Sequence, residues 1–386
     1  MVVEEVPEPD LGPGLVRVAV HAAAINFPDL LILEDKYQVS VPLPFVPGSE
    51  LAGVVEEVGP GVATLALGDR VFGATFVGAF AERVTVPAES LTRIPDGVDF
   101  RRGAAFGVAH GTAYHALRSI ARVQADEWVV VLGAAGGVGL AAVELAKVLG
   151  ARVLAAAAGP ERLAVCRDHG ADVAVDYRDE DLKLRIKELT DGGADVVIDP
   201  VGGPYSEAAL RAMRWGGRFV CVGFASGQIP RIPLNLVLLK GITVQGLEMR
   251  GFLEHSADAA RRDRDELLEL LGAGRVTPHV SAVYPLDDVR DALHAVADRA
   301  ITGKVIKKSF PKLPFPGSQD RAPPRGRIRE TVPPPPPGDV DVVHPDRAAT
   351  IPCHPGHAEP PRADERDGLR CDGAATRRAP RDQSRQ

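Results

Sequence analysis

A chain of 386 residues is too long for one ordinary domain, and at about 150 residues each it suggests two to three. Apolar residues make up 45% and charged residues 25%, a globular profile. The net charge of -7 disfavours non-specific binding to nucleic acid or an anionic membrane. Four cysteines, Cys166, Cys221, Cys353 and Cys371, stand far apart with no CxxC pair, so neither a disulfide framework nor a structural zinc cluster is indicated.

The N-terminal segment, MVVEEVPEPD, is acidic and has no apolar signal core, and no run reaches the ~18 apolar residues of a membrane span; these features predict a cytoplasmic protein without membrane association. The first hundred residues read as β-rich. Short apolar runs at Val16–Val20, Val54–Val58, Arg70–Phe72 and Ala81–Val86 are cut by Gly and Pro, as in Pro47-Gly48 and Gly59-Pro60-Gly61.

From Trp128 the texture changes to strands alternating with helices. Strands are predicted at Trp128–Leu132, Arg152–Ala156, Asp172–Val175, Ala194–Ile198, Arg218–Val222 and Ile242–Gln245. Helices are predicted near Val138–Leu149, Glu161–His169, Leu182–Leu189 and Tyr205–Met213. This alternation predicts a parallel, doubly wound sheet inserted into a mainly β domain. After Gly246 the pattern is helical, at Asp263–Gly272 and Leu286–Ala297, and closes on Gly303-Lys304-Val305-Ile306.

The C-terminal part differs in kind. The chain holds 33 prolines, about 8.5% against a usual ~5%, but residues 1–309 hold only 17 of them and the last 77 residues hold 16. In that tail 10 residues are large apolar ones and 12 are Arg. Such a segment cannot bury enough apolar surface to offset the entropy of ordering it, which predicts a disordered tail over 310–386. Without the tail, 32 basic residues face 41 acidic ones, a net charge of -9.

The chemical signal lies in Gly133-Ala-Ala-Gly136-Gly137-Val138-Gly139. A buried strand runs into glycines and then into a helix with Val138, Ala142, Leu145 and Leu149 on one face. Glycines let backbone approach a pyrophosphate, and the free N–H groups of a helix start bind its charge. The usual GxGxxG is replaced by Gly133-x-x-Gly136-x-x-Gly139. The next strand ends at Ala157, where an NAD site carries an acid on the ribose 2′-hydroxyl. Arg162, and Tyr177 with Arg178 after the third strand, stand where a 2′-phosphate would need partners, so the cofactor read here is NADPH. The other reading of Arg162 is a solvated helix residue.

These motifs, with Asp176-Tyr177-Arg178-Asp179-Glu180-Asp181, Asp199-Pro-Val-Gly202-Gly203 and Gly223-Phe-Ala-Ser-Gly227, resemble the medium-chain dehydrogenase/reductase superfamily. They resemble most its zinc-free NADPH:quinone oxidoreductase branch, to which zeta-crystallin belongs. The flanking domain agrees, through Ala24-Ile-Asn26-Phe-Pro-Asp29, Pro47-Gly48-Ser49-Glu50-Leu-Ala-Gly53, Gly68-Asp69-Arg70-Val71 and Gly303-Lys304-Val305. The resemblance implies a GroES-like β-barrel catalytic domain built from residues 1–107 and 247–309, a Rossmann NADP-binding domain over 108–246, and an active site in the cleft between them. It also implies a homodimer joined along Ile242–Gly246.

The departures matter too. Zinc alcohol dehydrogenases of this superfamily carry cysteine where this chain has Asn26, and histidine in a Gly-His-Glu where it has Gly48-Ser49-Glu50. Zinc needs three or four ligands at one point, so no metal is expected. Family members begin with a further strand of about fifteen residues, which is expected to be missing here. The tail after Lys308 matches nothing in the family, and its composition resembles a reading-frame error.

Hydride transfer from NADPH to an electrophilic small molecule, a quinone or an α,β-unsaturated carbonyl, needs little acid–base help. Asn26, Tyr37 and Thr112 are the candidate catalytic residues. Asn26 would contact the acceptor or the nicotinamide ribose, or else bond its own loop. Tyr37 would line the acceptor pocket, or else be core, and His110 beside Thr112 reads as a structural histidine more than as a proton donor. Gly223 and Phe224 join Gly133, Gly136, Gly137, Val138, Gly139, Arg162 and Tyr177 as cofactor contacts. Two alternatives stay open: an enoyl-thioester reductase of the same superfamily, and an NADPH-binding protein without turnover, crystallin-like or RNA-binding.

Overall fold

The computed structural model describes residues 1–308. The tail expected to be disordered, 310–386, with Cys353 and Cys371, lies outside the described residues. Short apolar runs broken by glycine and proline form strands β1 (Leu15–Ile25), β2 (Glu50–Val58), β3 (Arg70–Ala74), β4 (Arg83–Pro87) and β5 (Leu91–Arg93). The parallel-sheet strands follow as β6 (Trp128–Leu132), β7 (Arg152–Ala157), β8 (Val173–Asp176), β9 (Ala194–Asp199), β10 (Met213–Cys221) and β11 (Thr243–Gly246). The chain returns through β12 (Val280–Pro285) and β13 (Lys304–Lys308).

The first sheet has seven strands in the order β12-β13-β1-β2-β3-β5, with β4 also on β1. Its centre is β1, which pairs antiparallel with β13, β2 and β4. Because three strands cover it, β1 is buried over most of its length. Ile25 stands opposite Val305 and Ala24 opposite Ile306, so both ends of the described chain build one sheet. Val16, Val18, Leu51, Val71, Leu293 and Val305 form its core.

The second sheet is parallel, in the order β11-β10-β9-β6-β7-β8. Read from β8, this is the 3-2-1-4-5-6 order of a dinucleotide-binding sheet, whose switch point falls between β6 and β9. Helices cover both faces, so β6 and β9 read as nearly continuous apolar runs. Val131 and Ile198 pack with Leu117, Leu140 and Leu145 on one face. Val130, Leu154, Leu210 and Phe219 pack on the other.

Several elements differ from the pattern-based expectation. β10 starts at Met213 rather than Arg218, and its pairing with β9 shifts between those residues, which leaves Trp215 82% exposed. The expected helix over 286–297 divides into a 3-10 turn, Leu286–Asp288, and a helix, Val289–Ala297. β12 was hidden in the expected helical region because it is short and only half-buried; its pairing with β13 makes it a strand. The passage between the two sheets is a helix, Gly107–Tyr114, running into a π-turn over His115–Ile120. The turn is held by buried Asp263, whose carboxylate meets His115 Nδ1 at 2.9 Å and accepts from Arg262 Nη2 at 2.7 Å.

Lys307, on β13, is fully buried, and its Nζ donates to the Ala81 carbonyl at 2.8 Å. Burial pushes its ammonium down to about 7, against a smaller upward pull from Glu82. Between that value and the ordinary 10.5 the unfolded chain holds a proton that the folded chain lacks, so stability rises with pH across this window. Denaturant titration is expected to show about 2–3 kcal/mol more stability at pH 9 than at pH 7 from this group. Lys307→Met should remove that increment, and an unchanged slope in the variant would place the proton elsewhere.

Candidate active site at the carboxyl edge of the parallel sheet

The turn after β6 enters the helix Gly137–Val148, whose N-cap is Gly136. Glycine has no side chain to satisfy the first-turn N–H groups, which leaves them for an anion. The turn is also too tight for other residues. A Cβ at Gly139 would stand 2.2 Å from the Gly133 carbonyl oxygen and 2.8 Å from Ala134 Cα. Gly133 has φ of +58°, and a Cβ there would meet Val201 at 2.5 Å. Residues 200–203 after β9 and 222–228 after β10 complete the edge. They are sewn together by Ala225 N–H to Pro200 O at 3.1 Å, Ser226 N–H to Val201 O at 2.8 Å and Gly203 N–H to Gln228 O at 2.9 Å. Gly223 and Phe224 lie in this pair of loops, and the Phe224 ring is so close to Gly202 that a Cβ there would be 2.8 Å from it.

The end of β7 carries Ala157, and no acid follows it on that strand. The nearby carboxylate, Asp176 at the end of β8, accepts from Gly159 N–H at 2.8 Å and from Arg178 N–H at 3.1 Å. Burial works against its charge, but these donors and the Arg178 guanidinium hold it below the usual carboxylate range. Arg178 is its cationic partner, while Arg162 and Arg299 stand near the adjoining Tyr177. Arg162 donates to the Arg299 carbonyl, Arg299 donates to Ala225 O at 2.8 Å, and Arg178 lies 3.6 Å from Asp176. Tyr177 stacks on Tyr205 with ring centroids 4.2 Å apart. Burial and Tyr205 push its hydroxyl up, and Arg162 and Arg299 oppose the shift. Arg162, Tyr177 and Arg178 were visible in the sequence. Arg299 was not, since it lies on the return segment at a left-handed backbone position with no motif to mark it.

On the barrel side, Asn26 precedes the helix Phe27–Leu33. Its N–H donates to Asp29 Oδ2 at 2.7 Å, and burial pushes Asp29 up to about 6. The Asn26 side chain bonds neighbours on other strands. Nδ2 donates to Glu50 Oε2 at 3.1 Å, and Oδ1 accepts from Lys304 Nζ. Nδ2 also makes a marginal 3.5 Å approach to Ala24 O. Tyr37 is half-buried beside Phe76, with centroids 6.1 Å apart, and burial followed by Glu248 pushes its hydroxyl up. Thr112 is buried on the helix Gly107–Tyr114. His110, on the same helix, is buried with Nε2 3.2 Å from Glu144 and its ring stacked on Phe106. It lines a cavity of about 10 Å³ behind the glycine helix, with Glu144, His169 and His279.

A first sheet built from both ends of the described residues, together with a parallel sheet carrying this glycine turn, is an oxidoreductase architecture. Residues 12–96 match the family model described as alcohol dehydrogenase GroES-like domain, and 137–291 match zinc-binding dehydrogenase. The quinone oxidoreductase-like protein 2 homolog of Nematostella vectensis is 41% identical over 301 residues, covering 77% of this chain and 82% of that protein. Among solved structures, Escherichia coli quinone oxidoreductase complexed with NADPH is similar at a TM-score of 0.74 and 30% identity, over 80% of this chain and 95% of that one. The quinone oxidoreductase of Thermus thermophilus, also solved with NADPH, gives a TM-score of 0.71 and 35% identity over 79% and 95%. The chain therefore belongs to the medium-chain dehydrogenase/reductase superfamily, among its quinone oxidoreductase-like members.

Proposed function

We propose that this protein is an NADPH-dependent reductase that passes hydride to a quinone or an α,β-unsaturated carbonyl without zinc. The observation that carries the reading is the convergence of Arg162, Arg299 and Arg178 with Tyr177 beside Ala157. A 2′-phosphate fits that charge, whereas the absent acid leaves a plain ribose hydroxyl without its usual partner. The glycine cradle supports the same cofactor, since the space over Gly139 and Gly133 excludes even a Cβ and the first helical turn is uncapped. The solved relatives complexed with NADPH support the same reading.

When bound, the dihydronicotinamide would supply the hydride. The chain's own residues bind and orient: the glycine turn takes the pyrophosphate, Arg162 and Arg299 the 2′-phosphate, and Gly223 and Phe224 flank the nicotinamide half. Asn26 offers an amide N–H to the acceptor oxygen, with Tyr37 and Thr112 lining the pocket. The donor set supports zinc-free chemistry. At the barrel positions Asn26, Ser49 and Glu50, only one side chain is a carboxylate, and it is already paired with Lys304 at 3.1 Å. On this reading residues 1–107 and 247–309 make the catalytic domain and 108–246 the cofactor domain. A homodimer is supported by β11 at the sheet edge, next to exposed Trp215, Leu238, Leu239 and Val244.

The test is NADPH oxidation with 1,4-benzoquinone, 9,10-phenanthrenequinone, an enone and crotonyl-CoA, on protein whose light-scattering mass is expected at two chains. Turnover of the quinones or the enone is expected. Crotonyl-CoA alone would favour an enoyl-thioester reductase, and NADPH binding without any turnover would favour a non-catalytic role. A mass of one chain would remove the dimer.

A further inference from the structure

Strand β13 carries a lysine whose ammonium is turned inward rather than to solvent. Lys304 is 4% exposed, Glu50 0% and Asn26 7%. Lys304 Nζ lies 3.1 Å from Glu50 Oε2 and 3.4 Å from the Ile25 carbonyl, and donates to Asn26 Oδ1. The other Glu50 oxygen accepts Val108 N–H at 2.7 Å, on the helix that bears Thr112. The same lysine's stem covers the start of the glycine helix, where a Cβ on Gly137 would be 2.9 Å from Lys304 Cδ. Its neighbour Gly303 is tied to the glycine turn by N–H to Ala135 O at 2.8 Å.

A side-chain amide can be flipped, exchanging its donor and acceptor ends, and its neighbours decide which way it sits. Here the neighbours leave one choice. Lys304 can only donate, so it takes Oδ1; the Glu50 carboxylate can only accept, so it takes one Nδ2 hydrogen. The second Nδ2 hydrogen has only Ala24 O at 3.5 Å, the outer limit of a hydrogen bond. Among the described residues that N–H has no close acceptor, which leaves it as the donor available to an acceptor oxygen gaining negative charge.

We propose that Lys304, clamped by Glu50, is a positioning residue that fixes the Asn26 amide with its donor end toward the reacting oxygen. The proposal rests on the reductase reading above. It explains why a buried ion pair sits at the seam of barrel and glycine helix, where an apolar pair would fill the space without the cost of desolvating two charges.

Lys304→Met alone would leave the Glu50 charge buried and unpaired, so the informative variant is Lys304→Met with Glu50→Gln, made in the natural background and with Asn26→Ala. In the natural background kcat should fall about tenfold or more, as for a misplaced transition-state donor, with the Kd for NADPH within about threefold. With Asn26→Ala the same pair of changes should alter kcat less than about twofold, because the lysine acts through the amide. Lys304→Arg, which keeps the charge opposite Glu50, gives an independent reading: it should recover most of the lost kcat. Full multiplication of the two effects, an arginine variant as slow as the double variant, or a rise confined to the NADPH Kd would overturn the role. An unaltered protein that reduces no acceptor would sink the reductase reading and this role together, whereas an active one with multiplying effects would sink only the role of Lys304.

Discussion

Replacing Arg162 and Arg299 together by alanine is expected to raise the Kd for NADPH about a hundredfold and leave that for NADH within about twofold. A charge-assisted hydrogen bond contributes about 1.5–3 kcal/mol, and each 1.4 kcal/mol is tenfold in affinity. Both side chains reach solvent, so the lower end applies to each, which gives the hundredfold figure for the pair. Arg178 should matter less, because Asp176 already takes part of its charge. Isothermal titration with the two cofactors separates the outcomes. Equal weakening of NADPH and NADH would show that the arginines hold the common part of the cofactor or the fold, and a preference for NADH in the unaltered protein would overturn the reading of Ala157.

Gly139→Ala is expected to abolish measurable NADPH binding, at least a hundredfold, while the protein stays folded. The added methyl would stand 2.2 Å from the Gly133 oxygen and 2.8 Å from both Gly133 C and Ala134 Cα, all backbone atoms. None of them can move aside as a flexible side chain does, so the turn must open and its N–H groups lose their common aim. Overpacking of this kind costs about 1–3 kcal/mol of stability, which lowers Tm by several degrees in a chain of this size. Circular dichroism and cofactor titration on one sample check both parts. A variant that binds NADPH normally would mean that the glycine is needed for helix–strand packing alone.

Much of the parallel domain was legible from local pattern. Trp128–Leu132 and Leu182–Leu189 stand at the expected bounds, and β7, β8 and β9 differ by a residue at one end or both. These elements declare themselves because a strand buried on both faces is a continuous apolar run, and a glycine turn needs its glycines in a fixed order. The barrel was less legible: β1 extends to Ile25 and β12 emerges from a stretch read as helical, since half-buried strands owe their form to partners.

By itself the sequence determined the fold class, from elements and motifs spread along residues 16–306, and the glycine turn with its missing acid, which lie within about thirty positions of one another. The tertiary structure decided the rest. It brought Arg299 to Arg162 across a separation of 137 residues, close to Tyr177, and Lys304 to Asn26 across 278. It also exposed Trp215 at the edge of a strand that pattern alone began too late. Contacts over such distances leave no period in the chain, because they depend on which strands pair, and that pairing is settled by the burial of whole faces rather than by neighbouring residues.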